Sequence, residues 1–177
     1  MDEFWVFGYG SLMWNPGFPY DERQQARISG YRRSLCVRSY VHRGTSARPG
    51  LVLGLDRGGS CRGVAFRVPE QARHDTITYL RERELVTSVY LEREVGVRLA
   101  DGRLVRALTY VVDRAHPQYG GAITVEEAAE VVAGAVGQSG PNPVYVANTV
   151  SHLREMGIRD HWLESVVNSL KTIGRDR

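Results

Sequence analysis

A ten-residue segment near the start of the chain places a hydroxyl side chain and two glycines directly after an apolar run. Residues 5–14 read WVFGYGSLMW. A short β-favouring run that stops at glycine is typical of a core strand where it leaves a sheet. Because glycine adopts backbone angles closed to other residues, Gly8 and Gly10 would let the N–H groups of residues 9–12 converge on one point. Such a turn would bind a carboxylate or an oxyanion. The alternative is a β-turn whose glycines serve only the backbone.

Glu84 is a carboxylate that could transfer protons, and it ends a helix predicted over residues 69–84. This helix starts with Pro69, and proline is tolerated in the first turn of a helix. At 3.6 residues per turn, Leu80 and Glu84 share one stripe, together with Ile77, and Glu82 points to the opposite side. Burial and the negative end of the helix dipole both disfavour ionisation, so we expect a raised pKa for Glu84, in the range of a general base. The alternatives are a frayed end facing water or an ion pair with an arginine of the same helix (Arg73, Arg81 or Arg83).

The elements that must position these groups are mostly strands. Over the first two thirds of the chain, β-type segments cover residues 5–8, 26–31, 33–40, 51–56, 61–68, 90–99 and 104–112. Turns of the hairpin type are predicted at 57–60 (RGGS) and 101–102 (DG). This spacing predicts a barrel or a strongly curled sheet.

The last third of the chain has helical signals. A capping box over 124–127 opens one helix, Asn142 followed by a proline is the predicted N-cap of a second, and Asp160 opens a third. We therefore expect an α+β fold, a mostly antiparallel β-barrel flanked by helices, with residues 1–177 forming a single domain.

Composition limits the classes of function. The chain has 177 residues and 42% hydrophobic content, and no apolar run approaches the length that spans a bilayer. The acidic start does not resemble a signal peptide, so we expect a cytoplasmic protein without a membrane partner. All of the 23 basic residues except Lys171 are arginines, but they are scattered and alternate with acids, which argues against nucleic-acid binding. An arginine-rich module for an anionic ligand or RNA stays as an alternative.

Metal and nucleophile chemistry have little support in the sequence. The five histidines show no zinc-binding spacing, and Cys36 and Cys61 are too few for a metal cluster or a disulfide framework. Ser11 would be a nucleophile only if a base such as Glu84 or His42 came near it. An N–H cradle with one carboxylate of raised pKa suits proton transfer during attack on a carbonyl, with no cofactor and no metal.

The ordered motifs resemble the ChaC-like, glutathione-specific branch of the γ-glutamylcyclotransferases. The opening segment 6–14 and the following 18–20 (FPY) are similar to that family's start, and further matching segments follow in order at 31–33 (YRR), 42–44 (HRG), 49–50 (PG), 61–67 (CRGVAFR), 79–84 (YLRERE) and 137–145 (GQSGPNPVY). Nearly the whole chain is covered. One departure is LVTS after Glu84, at 85–88, where many members have Gly-Gly-Tyr.

The resemblance implies cleavage of glutathione to 5-oxoproline and cysteinylglycine without a cofactor. Glu84 aligns with the catalytic glutamate and would take a proton from the substrate's ammonium group and return it to the leaving amine. The predicted substrate-binding residues are Tyr9, Gly10, Ser11, Leu12, Arg43 and Tyr145. Arg43 is the candidate for the glycine carboxylate of glutathione, and the alternative is a solvated loop arginine. A cyclotransferase for another γ-glutamyl amine and a Ser11 hydrolase remain open, as does the oligomeric state.

Overall fold

Five strands close into one barrel in the computed structural model, which describes residues 3–175. The strands are β1 (Phe4–Gly8), β2 (Glu22–Ser39), β3 (Gly50–Val68), β4 (Tyr90–Leu99) and β5 (Leu104–Val112), and their order around the barrel is β1-β3-β2-β4-β5. β1 pairs antiparallel with β3 and parallel with β5, and β2–β4 and β4–β5 are antiparallel. The predicted α+β fold with a mostly antiparallel barrel is confirmed.

Four α-helices accompany the barrel. They are α1 (Arg73–Glu84), α2 (Val125–Ala133), α3 (Asn142–Glu155) and α4 (His161–Arg175). Two short 3-10 turns, Ser11–Met13 and Glu70–Ala72, and a small hairpin of β6 (Val136–Gly137) and β7 (Gly140–Pro141) complete the described elements. Among residues 3–175, no helix is long and apolar enough to cross a membrane.

The backbone groups into two compact units. The first contains the residues up to Arg33 together with Leu55–His116, and the second contains Ser34–Gly54 together with the residues from Pro117 onwards. The assignment of the whole chain to a single domain stays a prediction.

The core of the first unit is built on β1. Trp5, Val6 and Phe7 are at most 1% exposed, as the apolar run predicts for a central strand. β1 lies between β3 and β5 in the closed barrel, with Val6 opposite Phe66 of β3 and Leu108 of β5. The end of β1 is therefore held on both sides where the chain leaves the sheet.

The turn predicted at residues 57–60 is wrong, because β3 continues through it. Gly58 and Gly59 have φ values of +98° and +74°, a left-handed conformation that glycine adopts without a steric penalty. β2 likewise runs without a break past Gly30, whose φ is +90°. Two pairs of predicted short strands are thus two long strands that contain left-handed glycines.

The helices of the second unit begin close to their predicted starts. The Thr124 side chain accepts a hydrogen bond from the Glu127 amide at 3.1 Å, and the Asp160 carboxylate accepts one from the Leu163 amide at the same distance, as predicted for N-caps. The predicted role of Asn142 is wrong, because it is the first residue of α3 and Pro141 precedes it as the cap. The Asn142 side chain instead accepts from the Leu51 amide at 2.8 Å and donates to the Leu51 carbonyl at 2.9 Å.

We expect Asn142→Ala to destabilise the protein. Asn142 is fully buried, and its removal leaves a buried backbone N–H and C=O of Leu51 without partners, which costs about 1–3 kcal/mol for each unsatisfied group. Urea unfolding followed by circular dichroism measures the loss. Asn148→Ala, at an exposed position of the same helix, is the matched control and should change the midpoint little. Equal midpoints for the two variants would contradict the assigned role.

Candidate active site

The segment after β1 forms a tight turn that presents backbone amides. The Met13 amide donates to the Gly10 carbonyl at 2.9 Å and the Asn15 amide donates to the Ser11 carbonyl at 2.7 Å. The first N–H groups of a helical turn have no acceptor within it, and here these belong to the residues before Met13. The side chains of Tyr9 and Leu12 are buried, at 8% and 6% exposure, and Ser11 is exposed. The turn therefore has an apolar underside and a polar outer side.

The two glycines of this turn serve different purposes. Gly10 has a φ of −131° and a ψ of −132°, a combination outside the main regions that other residues adopt, as predicted for this glycine. Gly8 lies in β1 and is not among the described glycines with positive φ. Gly8 is required by space, because a Cβ atom there would lie 2.9 Å from the Leu12 Cβ. On the neighbouring strand, a Cβ at Gly63 would lie 2.2 Å from the Gly8 carbonyl oxygen. Close packing of backbone thus fixes the position of the turn.

Glu84 is the last residue of α1, as predicted. Its side chain is 18% exposed, whereas Glu82 is exposed and Leu80 is buried. Burial raises the pKa of the Glu84 carboxyl above that of an ordinary glutamate, and the charge of Arg83 opposes that rise without cancelling it. A carboxyl group of raised pKa that still reaches the surface is suited to exchange protons with a bound substrate.

Arg83 joins Glu84 to the turn. Its Nε lies 3.7 Å from Glu84 Oε1, and its Nη2 donates to Ser11 Oγ at 2.7 Å. The ion pair considered as an alternative for Glu84 is therefore present, and the pKa of Glu84 is raised in spite of it. The structure brings together two of the predicted site components, the Tyr9–Leu12 turn and Glu84, through one guanidinium group.

Sequence reasoning missed a second polar group close to Glu84. Tyr110 of β5 is 1% exposed, and its hydroxyl donates to Glu92 at 2.9 Å. Glu92 of β4 also accepts two hydrogen bonds from Arg81, at 2.9 and 3.1 Å. Burial, the bond to Glu92 and the charges of Glu92 and Glu84 raise the pKa of the Tyr110 hydroxyl well above its ordinary value. The charged run at 92–94 was the available signal in the sequence, but it did not reveal this partner.

Arg43 and Tyr145 belong to the second unit and contact each other there. The Arg43 guanidinium lies over the Tyr145 ring, 5.4 Å from its centroid, and donates to the Pro141 carbonyl at 3.3 Å. The Tyr145 hydroxyl accepts from the Leu53 amide at 3.0 Å. These contacts give both residues a local structural role, and their predicted binding of substrate stays a prediction.

The described contacts of Ser11 do not include a base. Its hydroxyl accepts a hydrogen bond from Arg83, whose guanidinium group has N–H donors and no acceptor for the hydroxyl proton. His42, considered as a base from the sequence, has its Nδ1 3.3 Å from Ser139 Oγ within the second unit. The observed partner of Ser11 suits a residue that holds the turn in place.

A family model described as ChaC-like protein matches residues 4–173. The chain belongs to the ChaC-like family. This result confirms the resemblance drawn from the ordered motifs.

Curated relatives and a solved structure agree with this membership. The chain is 36% identical over 169 residues to the glutathione-specific γ-glutamylcyclotransferase of Escherichia coli K12, a match that covers 96% of this chain and 73% of that protein. It is 33% identical over 175 residues to the glutathione-specific γ-glutamylcyclotransferase 1 of Mus musculus, covering 96% and 78% of the two chains. A crystal structure of a yeast γ-glutamylcyclotransferase specific to glutathione superposes with a TM-score of 0.85, at 25% identity and over 97% of both chains.

Proposed function

We propose that this protein is a glutathione-specific γ-glutamylcyclotransferase that converts glutathione to 5-oxoproline and cysteinylglycine. The family supports the reaction, and the names of the bacterial and mouse relatives support the substrate. The observation that carries the mechanism is the Glu84 carboxyl group, which is largely buried, has a raised pKa, and is linked by Arg83 to the turn after β1.

The reaction is an internal displacement that requires proton transfer at both nitrogens. The α-amino nitrogen of the γ-glutamyl residue forms a bond to its own γ-carbonyl carbon, and the bond from that carbon to the cysteine nitrogen breaks. No water is consumed and no electrons are exchanged. The attacking nitrogen loses two protons in all, one from its ammonium form before the attack and one as it becomes the ring amide. The departing nitrogen gains one proton to leave as an amine and a second one from solvent.

Glu84 would carry a proton from the attacking nitrogen to the departing nitrogen. As a carboxylate it accepts a proton from the substrate ammonium, and as a carboxylic acid it returns the proton to the leaving amine. A raised pKa makes the protonated form more accessible than in an ordinary glutamate, which favours this exchange. General acid–base catalysis of this kind contributes about 10²- to 10⁴-fold in rate.

The turn after β1 would hold the γ-glutamyl end of the substrate in a folded conformation. Amides of Gly10, Ser11 and Leu12 would donate to substrate oxygens, and the positive charge of Arg83 beside them favours an anionic group. Holding the amine against the carbonyl removes much of the entropic barrier to ring closure.

We expect the purified protein to release 5-oxoproline and cysteinylglycine in equal amounts from glutathione. Recognition of the glycine carboxylate by a charge-assisted contact contributes about 1.5–3 kcal/mol, which predicts roughly a ten- to hundred-fold preference over γ-glutamyl-lysine and γ-glutamyl-alanine. Chromatographic quantification of both products, with kcat/KM for each of the three substrates, makes the measurement.

The same assay separates the competing functions. A cyclotransferase releases 5-oxoproline, whereas a Ser11-dependent hydrolase consumes water and releases glutamate. Turnover of γ-glutamyl-lysine at least as fast as that of glutathione would show that the glutathione assignment is wrong and would leave the cyclisation chemistry intact. Release of neither product would reject the proposed function.

A further inference from the structure

Arg83 makes contacts through every nitrogen of its guanidinium group. Nη1 donates to the Asn15 carbonyl at 2.7 Å, to the Pro16 carbonyl at 3.4 Å and to Tyr79 Oη at 2.9 Å. Nη2 donates to Ser11 Oγ at 2.7 Å, and Nε faces Glu84 at 3.7 Å. The side chain is 20% exposed, so this is a packed arrangement rather than a solvated arginine.

We propose that Arg83 is a positioning residue of the cyclotransferase reaction, which fixes the segment 11–16 against the end of α1 and so sets the distance between the substrate-binding turn and Glu84. This inference rests on the proposed function. Arginine suits the role because its planar fork carries five N–H donors in fixed directions, whereas the lysine ammonium is a single point of charge on a flexible stem.

The chain around Arg83 is shaped to allow these contacts. Gly17 has a φ of +76°, and a Cβ atom there would lie 2.2 Å from Tyr79 Oη, so only glycine lets the chain pass this close to α1. Tyr79 and Arg83 are four residues apart and therefore lie on the same side of the helix. The tyrosine hydroxyl that Gly17 approaches is the one that accepts from Arg83. The guanidinium is thus oriented from its own helix and held by the segment it binds.

Arg83 is also the cation that acts on the carboxyl group of Glu84. Burial raises the pKa of that carboxyl, and Arg83 lowers it. The other charged and titratable groups around it come from the facing strands: Tyr110 of β5, which interacts with Glu84, and Glu92 of β4, which is bonded to Tyr110 and to Arg81. Removing the Arg83 charge should therefore raise the pKa of Glu84 further and shift the acidic limb of the kcat profile to higher pH.

Two substitutions separate charge from geometry. Arg83→Met removes both the positive charge and the hydrogen bonds of the guanidinium group. It should lower kcat by about 10- to 100-fold, the scale expected when reacting groups are displaced by an ångström or less. It should also shift the acidic limb of the pH profile of kcat to higher pH. Arg83→Lys keeps a cation but cannot donate to the turn carbonyls, Tyr79 and Ser11 together. Its acidic limb should stay near that of the wild type while kcat still falls.

The control is Arg73→Met in the same helix. This substitution removes an equal charge from an exposed ion pair with Glu70, and it should leave kcat and the acidic limb of its pH profile unchanged. If Arg83→Met and Arg83→Lys both melt at lower temperature but keep the wild-type kcat and acidic limb, Arg83 is only structural and the proposal is wrong.

The proposal can be tested even if glutathione is not the substrate. ¹³C NMR titration of the Glu84 carboxyl carbon in the wild type and in the Arg83 variants follows the same pKa without turnover. A higher pKa in Arg83→Met, with no such change in Arg83→Lys, supports the inferred contact. Identical titration in all three proteins overturns it, whereas failure of the wild type to release 5-oxoproline rejects the proposed function alone.

Discussion

Replacing Glu84 by glutamine is expected to lower kcat for glutathione cleavage by about 10²-fold or more, the scale of general acid–base catalysis. Glutamine keeps the size and shape of the side chain but cannot accept a proton from the substrate ammonium and return it to the leaving amine. The measurement is the initial rate of 5-oxoproline release at saturating glutathione. Glu82→Gln is the matched control, because Glu82 is an exposed residue of the same helix and should keep normal turnover. Near-normal turnover in Glu84→Gln would falsify the assignment of Glu84.

Glu84→Gln is expected to lower activity but to raise the stability of the folded protein. Because the pKa of Glu84 is raised on folding, the folded state holds its proton more tightly than the unfolded state does. Stability is therefore lost as pH rises from the pKa of an unfolded glutamate through the higher folded pKa. Glu84→Gln should melt at a higher temperature than the wild type at neutral pH, and this difference should shrink in acid, below the unfolded pKa. Thermal melts across pH measure it.

The part of the site that the sequence predicted depends on local periodicity. The apolar run of 5–7 identified a buried strand, and the spacing of Leu80 and Glu84 placed a carboxylate on the buried side of a helix end. Both signals come from residues within a few positions of one another. Because that spacing also predicts burial, which is the main cause of the shift, the direction of the Glu84 pKa shift could be predicted as well.

The predictions that were wrong concern contacts between segments that are distant in the chain. The RGGS stretch has the composition of a hairpin turn, but the pairing of β3 within the barrel keeps it in the strand. Asparagine is a residue type that favours the N-cap position, but the Asn142 side chain is hydrogen-bonded to Leu51, which is 91 positions away. Local propensity does not encode these long-range contacts.

Close approach of two strands gives the second prediction of large effect, for Gly63→Ala. A Cβ at Gly63 would lie 2.2 Å from the Gly8 carbonyl oxygen and 2.7 Å from Phe7 Cζ, so the end of β1 and the part of β3 beside it must move apart. Overpacking of this kind costs about 1–3 kcal/mol. The turn that follows Gly8 would move with the strand, and a displacement of about an ångström can lower the rate by about 10²-fold.

We therefore expect Gly63→Ala to lose both stability and activity, and the loss of activity should persist at temperatures where the variant remains folded. Thermal melts and 5-oxoproline release, measured on the same preparations, distinguish the two effects. Gly96→Ala is the matched control, because it makes the same change in a barrel strand where an added Cβ has no neighbour within 4 Å. Its melting temperature and kcat should stay close to those of the wild type. If Gly63→Ala behaves like Gly96→Ala, contact between the backbones of β1 and β3 does not position the turn, and the amides that would hold the substrate must be fixed by Arg83 and the segment it binds.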